Sequence, residues 1–377
     1  MSEKASTPLD LALYVHYPWC VRKCPYCDFS SFGKGADKDR DRRYFAALLK
    51  DFNLQNEYIN GRHFVSVYFG GGTPSLCPPS FMADFLEQIK PCLAKNCEIS
   101  MEANPGTVDG KILKDFYQAG VNRLSLGVQS FDDRSLARLG RIHSSKEAFF
   151  AVEQALNAGF SNINVDLMHA LPGQSSDEAL TDLKKACALD ITHLSWYELT
   201  IEEGTAFGRH PPKLPDEDTM ADEEERGFAY LSEQGFERYE VSAFAKKDLK
   251  CVHNRNYWLF NDYLGLGAGA CGKIFKEGST KRRSCPEDPE LYMSGNFGEY
   301  QSVDTSELPF EYALNRLRLY GRVENFEFTK TTGLPFGKIK KRLESAQNDG
   351  LLEFDAHGFE LTHLGRRMLN DILELFL

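Results

Sequence analysis

Six short runs rich in aliphatic, β-branched and aromatic residues recur in the first 200 positions: Leu11–His16, Phe64–Phe69, Glu98–Glu102, Asn122–Val128, Asn162–Leu167 and His193–Glu198. Helical spacing fills the gaps. Tyr44–Ile59 puts Phe45, Leu48, Leu49 and Phe52 on one face, and Ser80–Ile89, Val108–Ala119, Ser145–Ala158 and Asp177–Leu189 follow. Gly120 and Gly159 stand where two of these helices should stop, because glycine takes a left-handed C-cap without steric cost. Strand alternating with helix implies parallel βα units. Six such units suit an open, partial (β/α)6 barrel of the TIM type better than a closed eight-stranded one. Periodicity by itself does not separate a partial barrel from an open sheet.

The rest of the chain changes character. Pro211–Glu225 is rich in proline and acid and reads as a solvated loop entering a helix. A strand is expected at Arg238–Phe244, then a glycine-rich run, Gly265–Gly272. From about Ser302, helical stretches at Pro309–Tyr320 and Phe336–Asn348 lead into a hairpin, Leu351–Phe354 with Gly358–Leu361, and a last helix from Thr362 to Leu377. That order resembles a winged-helix, α+β module. The expected organisation is a barrel over 8–240, a segment packing on it over 241–300, and the C-terminal module over 301–377.

Composition excludes several classes. The 377 residues carry 44 Lys and Arg against 55 Asp and Glu, a net charge of −11. An acidic chain is a poor match to nucleic-acid phosphates. No apolar run approaches the roughly 20 residues that span a bilayer, and Met1–Leu13 is charged and lacks an apolar signal core. The expected compartment is therefore a reducing cytoplasm, where a disulfide framework is not expected.

Seven of the ten cysteines are scattered, but three crowd into Cys20-Val21-Arg22-Lys23-Cys24-Pro25-Tyr26-Cys27, directly after the first strand. Three thiolates on one tight loop can hold three irons of a cubane cluster and leave the fourth iron open. A structural zinc site wants a fourth Cys or His, usually from a second Cys-x2-Cys knuckle, and none follows.

Each expected strand also ends in a chemically pointed residue, at the end of a barrel where sites gather. The second ends in Gly70-Gly71-Gly72-Thr73-Pro74, whose glycines permit close backbone contact with an amino-acid moiety. The third ends at Glu102 and the fourth at Gln129. The fifth carries Asp166, with Leu171-Pro172-Gly173-Gln174 just beyond, and the sixth carries Tyr197 and Glu198.

The stretch Tyr14–Phe29, with its Cys-x3-Cys-x2-Cys loop, resembles the radical S-adenosylmethionine (SAM) superfamily. That resemblance implies a [4Fe-4S] cluster on Cys20, Cys24 and Cys27 whose open iron chelates SAM. The order of motifs through residue 275 is similar to the coproporphyrinogen dehydrogenase-like branch. Matching positions imply SAM contacts from Tyr14, Tyr26, Gly71, Gly72, Thr73, Glu102, Gln129, Arg141 and Asp166.

Within that branch an enzyme and a carrier compete: oxygen-independent coproporphyrinogen III dehydrogenase, which turns two propionates into vinyls, and the HemW-type haem chaperones. The dehydrogenase has a further Cys two residues after the third; here Phe29 stands there. It also has a long extension before its first strand, where this chain has about ten residues. Cys251–Trp258 matches the chaperones' haem-associated motif, which implies haem contacts from His253, Asn254, Tyr257 and Trp258. An imidazole can ligate haem iron, and Tyr or Trp can stack on a porphyrin; the plain alternative is a packing motif with a hydrogen-bonded His. Cys251 is a possible soft ligand nearby. Cys271 departs from the family, which commonly has His there. The expectation is a haem chaperone rather than the dehydrogenase. It binds a [4Fe-4S] cluster, SAM and haem, acts as a monomer or dimer, and serves acceptors such as respiratory membrane enzymes with at most peripheral membrane contact.

Overall fold

A computed structural model describes residues 8–377; Met1–Thr7, part of the charged N-terminal stretch, lie outside the described residues. The strand–helix alternation forms as the sequence implies. Strand β1 (Leu11–Tyr17) is followed by helix α1 (Lys38–Leu54), then β2 (Phe64–Gly71), α2 (Pro79–Ile89), β3 (Leu93–Ala103) and α3 (Gly110–Ala119). Next come β4 (Arg123–Gln129), α4 (Ser145–Ala158), β5 (Ile163–His169), α5 (Ser176–Cys187) and β6 (His193–Glu198). The strands from β1 to β6 pair in sequence order and in parallel.

Local chemistry sets the helix ends. Ser144 with Glu147, and Ser175 with Glu178, form capping boxes that satisfy the first free N–H groups of α4 and α5. Gly120 and Gly159 close α3 and α4 at φ 110°. Helix α1 starts before the expected Tyr44 because the Asp37 carboxylate accepts from the N–H groups of Asp39 and Arg40. The acidic run does enter a helix, α6 (Glu217–Glu233), capped by Asp216.

One region differs from expectation. Arg238–Phe244 is not one strand: Glu237–Arg238 and β7 (Ala243–Ala245) pair antiparallel with each other, and β7 continues the sheet beyond β6. The glycine-rich run, to which the sequence pattern assigns no element, is a tight turn between two strands. It spans the end of β8 (Asp262–Leu266) and the start of β9 (Cys271–Lys276), and β8 lies parallel to β1 as a seventh parallel strand. Glycine is required there for space: a Cβ on Gly265 would sit 2.0 Å from the Cys271 carbonyl oxygen. Helix α7 (Val252–Trp258) precedes β8, and β10 (Ser279–Ser284) pairs with β9. The twelve-stranded sheet stays open, with antiparallel strands at both ends.

One apolar core runs behind the parallel strands and takes in Trp19, Tyr44, Phe64, Phe85 and Phe116. Each such fully buried side chain stabilises the fold by about 1.5–3 kcal/mol. A second core joins helices α8 (Leu308–Arg316), α9 (Asn325–Thr332) and α10 (Gly337–Asn348) to a small sheet of β11 (Val323–Glu324), β12 (Leu352–Phe354) and β13 (Gly358–Leu361). Phe260, just after α7, packs into this core against Tyr312. The final helix breaks at Met368 into two short pieces, His363–Arg367 and Leu369–Glu374.

Candidate functional site

The C-terminal ends of the parallel strands surround a cavity of about 450 Å³. Cys20, Cys24 and Cys27 lie on its wall, all three half-buried and unpaired. Their loop is pinned at several points. Trp19–Cys20 pairs with Phe32–Gly33, the Cys27 N–H reaches the Cys24 carbonyl at 3.2 Å, and Lys23 Nζ donates to the Phe29 carbonyl at 2.8 Å. Arg141 leans in from beyond β4, with Nη1 3.5 Å from Cys24 Sγ and Nη2 donating to the Gly127 carbonyl at 2.7 Å.

Burial pushes the Cys20 and Cys27 thiols up; the Thr73 and Ser31 hydroxyls pull Cys20 partly back. Cluster binding must therefore displace protons. Among the described residues no three His, Cys, Asp or Glu side chains gather on a single metal ion. A cubane asks for less convergence, because each thiolate takes its own iron. Three thiols on one wall beside a guanidinium fit an anionic cluster with one open iron.

Eight of the nine residues expected to contact SAM line this cavity: Tyr26, Gly71, Gly72, Thr73, Glu102, Gln129, Arg141 and Asp166. The ninth, Tyr14, lines a neighbouring cavity of about 340 Å³. Phe29, Gly71 and Glu102 belong to both walls.

The glycine loop is more committed than its sequence suggests. The Gly72 and Thr73 N–H groups donate to the carbonyls of Tyr17 (2.7 Å) and Trp19 (2.8 Å), and the Gly71 N–H donates to Glu102 Oε2 (3.2 Å). These donors are spent, so the loop offers a ligand carbonyl oxygens, which suit an ammonium group. Gly71 sits at φ 110°, and a Cβ there would fall 2.5 Å from the His16 ring.

Glu102 is held from two sides, since Tyr68 also donates to its Oε1 at 2.9 Å. Burial, with Asp166 nearby, raises its carboxyl to about 7 against the pull of those two donors. Burial likewise raises Asp166, against donors from Asn164 (2.7 Å) and Ser125 (3.0 Å). The Asn164 amide oxygen takes the His193 Nδ1–H at 2.6 Å, and His193 Nε2 takes the Tyr239 hydroxyl at 2.8 Å. Burial and Arg123 keep His193 neutral, which fixes that polarity. Gln129 ends β4 at φ 70°, where a β-bulge turns its amide to meet the Tyr197 hydroxyl at 2.9 Å.

Tyr68, Ser125 and Ser195 also line the cavity and were not singled out in the sequence. Strand alternation could have found them: Tyr68 precedes Gly70 by two positions, so both face inward.

The residues expected to touch haem are dispersed around α7. His253 is 1% exposed; its Nδ1 meets Ser66 Oγ at 2.9 Å, and its ring stacks on Tyr68 with centroids 4.9 Å apart. Tyr257 lines the second cavity with Tyr14, Tyr263 and Cys271. Asn254 donates its N–H to Cys251 Sγ at 3.5 Å, and Trp258 packs under Arg318, 4.5 Å from its ring centroid. Cys251 is fully buried as the cap of α7, and burial pushes its thiol up to about 12. Cys271 is exposed at the start of β9.

Comparison with known proteins agrees with this geometry. The radical SAM superfamily profile matches residues 14–186, and the HemN C-terminal domain profile matches 303–368. The haem chaperone HemW of Escherichia coli (strain K12) is 44% identical over 371 residues, covering 97% of this chain and 98% of that protein. HemW of Haemophilus influenzae is 43% identical, covering 97% of this chain and 98% of that protein. Among solved structures, the radical SAM enzyme coproporphyrinogen III oxidase from Escherichia coli superposes with a TM-score of 0.81 at 22% identity, covering 98% of this chain and 90% of that one. That likeness shows the shared fold.

Proposed function

The chain belongs to the HemW haem chaperone family of the radical SAM superfamily, and from that premise we propose that it binds haem and hands it to acceptor proteins. The observation that carries the reading is the near-complete alignment, at 44% identity, with a chaperone. It goes with Phe29 standing where a dehydrogenase-type loop has its additional cysteine.

Cys20, Cys24 and Cys27 would hold a [4Fe-4S] cluster, with Arg141 balancing its charge. When bound, such a cluster chelates SAM's amino and carboxylate groups at its open iron and supplies the electron that can split a sulfonium S–C bond. Glu102 and the Gly71–Thr73 carbonyls would accept from the N–H groups of that coordinated amine, Arg141 would pair with the carboxylate, and Asp166 and Gln129 would take the hydroxyls of a ribose. Tyr14 would act from the second cavity. Haem would engage the α7 region through His253, Asn254, Tyr257 and Trp258, beside the second cavity. Respiratory membrane enzymes are the acceptors we infer, reached from the cytoplasm. Among the described residues no helix is long and apolar enough to cross a membrane.

The test is a paired assay on anaerobically reconstituted protein. Haem is titrated and followed by visible absorbance, and coproporphyrinogen III turnover is measured in the same preparation. Saturable haem binding without turnover supports the chaperone. Conversion to protoporphyrinogen IX with no haem binding overturns it in favour of the dehydrogenase.

A further inference from the structure

Helix α7 carries the haem-associated motif, yet the strands that build the cluster cavity lock it in place. Glu98 on β3 accepts from the N–H groups of Val252 (3.1 Å) and His253 (3.2 Å). Ser66 on β2 takes His253 Nδ1. Two residues further along β2, the Tyr68 ring lies flat against the imidazole, interplanar angle 24°, while its hydroxyl holds Glu102. One ring stack and one hydrogen bond thus connect the motif histidine to a carboxylate in the cluster cavity.

This arrangement is not a relaxed one. His253 Nε2 and Trp258 Nε1 are both buried with no hydrogen-bond partner, which costs their full desolvation. The helix is also bracketed by two non-glycine residues in the left-handed region, Asp248 at φ 64° and Phe260 at φ 57°. Such positions are sparsely populated; Asp248 lies in the turn before α7, while Phe260 is anchored in the C-terminal core. Because Nε2 is buried, iron could reach it only if α7 or the side chains packed around it moved.

We propose that α7 is a gate, that SAM bound against Glu102 holds it shut, and that SAM and haem therefore weaken each other's binding. The proposal rests on the haem and SAM reading above. The N–H groups of SAM's iron-bound amine, donating to Glu102, favour the carboxylate as an anion, and a hydroxyl donating to an anion makes a stronger bond than one to a neutral acid. That bond anchors the Tyr68 ring, and the ring anchors His253. SAM favours the shut state and haem the open one, so each must lower the other's affinity by the same factor.

The experiment titrates haem into full-length, cluster-loaded protein with and without saturating SAM, and SAM with and without haem. Hydrogen exchange of residues 252–258 is followed alongside. Haem Kd should rise by about fivefold or more with SAM, the scale of a typical coupling. The reciprocal factor should match, and SAM should slow exchange in α7. Tyr68→Phe keeps the ring and deletes the hydroxyl, so it should bring the ratio towards one. Haem Kd unchanged or lowered by SAM overturns the gate and leaves the chaperone reading standing. Absence of haem binding under either condition overturns both.

Discussion

Tyr68 gives its hydroxyl to Glu102 Oε1 across 2.9 Å, joining two neighbouring strands at a carboxylate shared by both cavities. The Gly71 N–H on the other carboxylate oxygen leaves Glu102 little freedom to turn. The site is thus built around an acid whose proton is poised near neutrality.

That poise has a pH signature. Burial raises the Glu102 carboxyl to about 7 in the folded protein, above its unfolded value, so the folded state holds its proton more tightly. The associated stability is full below the unfolded pKa and is lost as pH rises through about 7. The open cavity screens part of this, so an effect on the order of 1–2 kcal/mol is expected. Urea unfolding of cluster-free protein should show stability declining over that window, and Glu102→Gln should flatten the decline. An unchanged pH profile in the variant would refute the assignment.

Cys24→Ala removes one of the three thiols and should abolish the broad iron–sulfur absorbance after reconstitution. Cys92→Ala, outside the loop, should retain it. Iron and sulfide analysis decides the matter: a Cys24 variant with full iron and sulfide rules out the ligand set. Because burial holds Cys20 and Cys27 as thiols, cluster loading should also improve as pH rises.

Gly72→Ala tests the packing of the glycine loop. Its Cβ would lie 2.7 Å from the Trp19 carbonyl oxygen, and a backbone atom cannot yield as a flexible side chain can. A loss of about 1–3 kcal/mol is expected, read as a lowered Tm. Gly61→Ala meets no atom within 4 Å and isolates the strain of a positive φ from that of a clash.

Asn164 has a positioning role. Its amide sends a donor to Asp166 and an acceptor to His193, so Asn164→Asp removes the donor and places like charge beside Asp166. SAM affinity, measured by calorimetry, should fall about tenfold. A variant that folds and binds SAM normally would show that Asp166 does not depend on this neighbour.

The Cys20–Cys27 loop was legible because its three thiols lie within eight residues and need no distant partner to identify them. The six parallel strands were legible because alternation and helix caps are local, as the Ser144–Glu147 box shows. Strand-end positions then followed from the rule that barrel sites gather at one end, which placed Glu102, Gln129 and Asp166 correctly on the cavity wall. Strand β8, which ends in Gly265–Leu266, gave no such signal, because it pairs with β1, some 250 positions earlier in the chain. Nor could spacing show that His253 is packed against Ser66, 187 residues away, rather than presented to a ligand. Local pattern determined the elements and the chemistry they carry. Only closure of the sheet decided which donors were already spent, which imidazole was buried and which two cavities share a wall, because each depends on contacts between residues far apart in sequence.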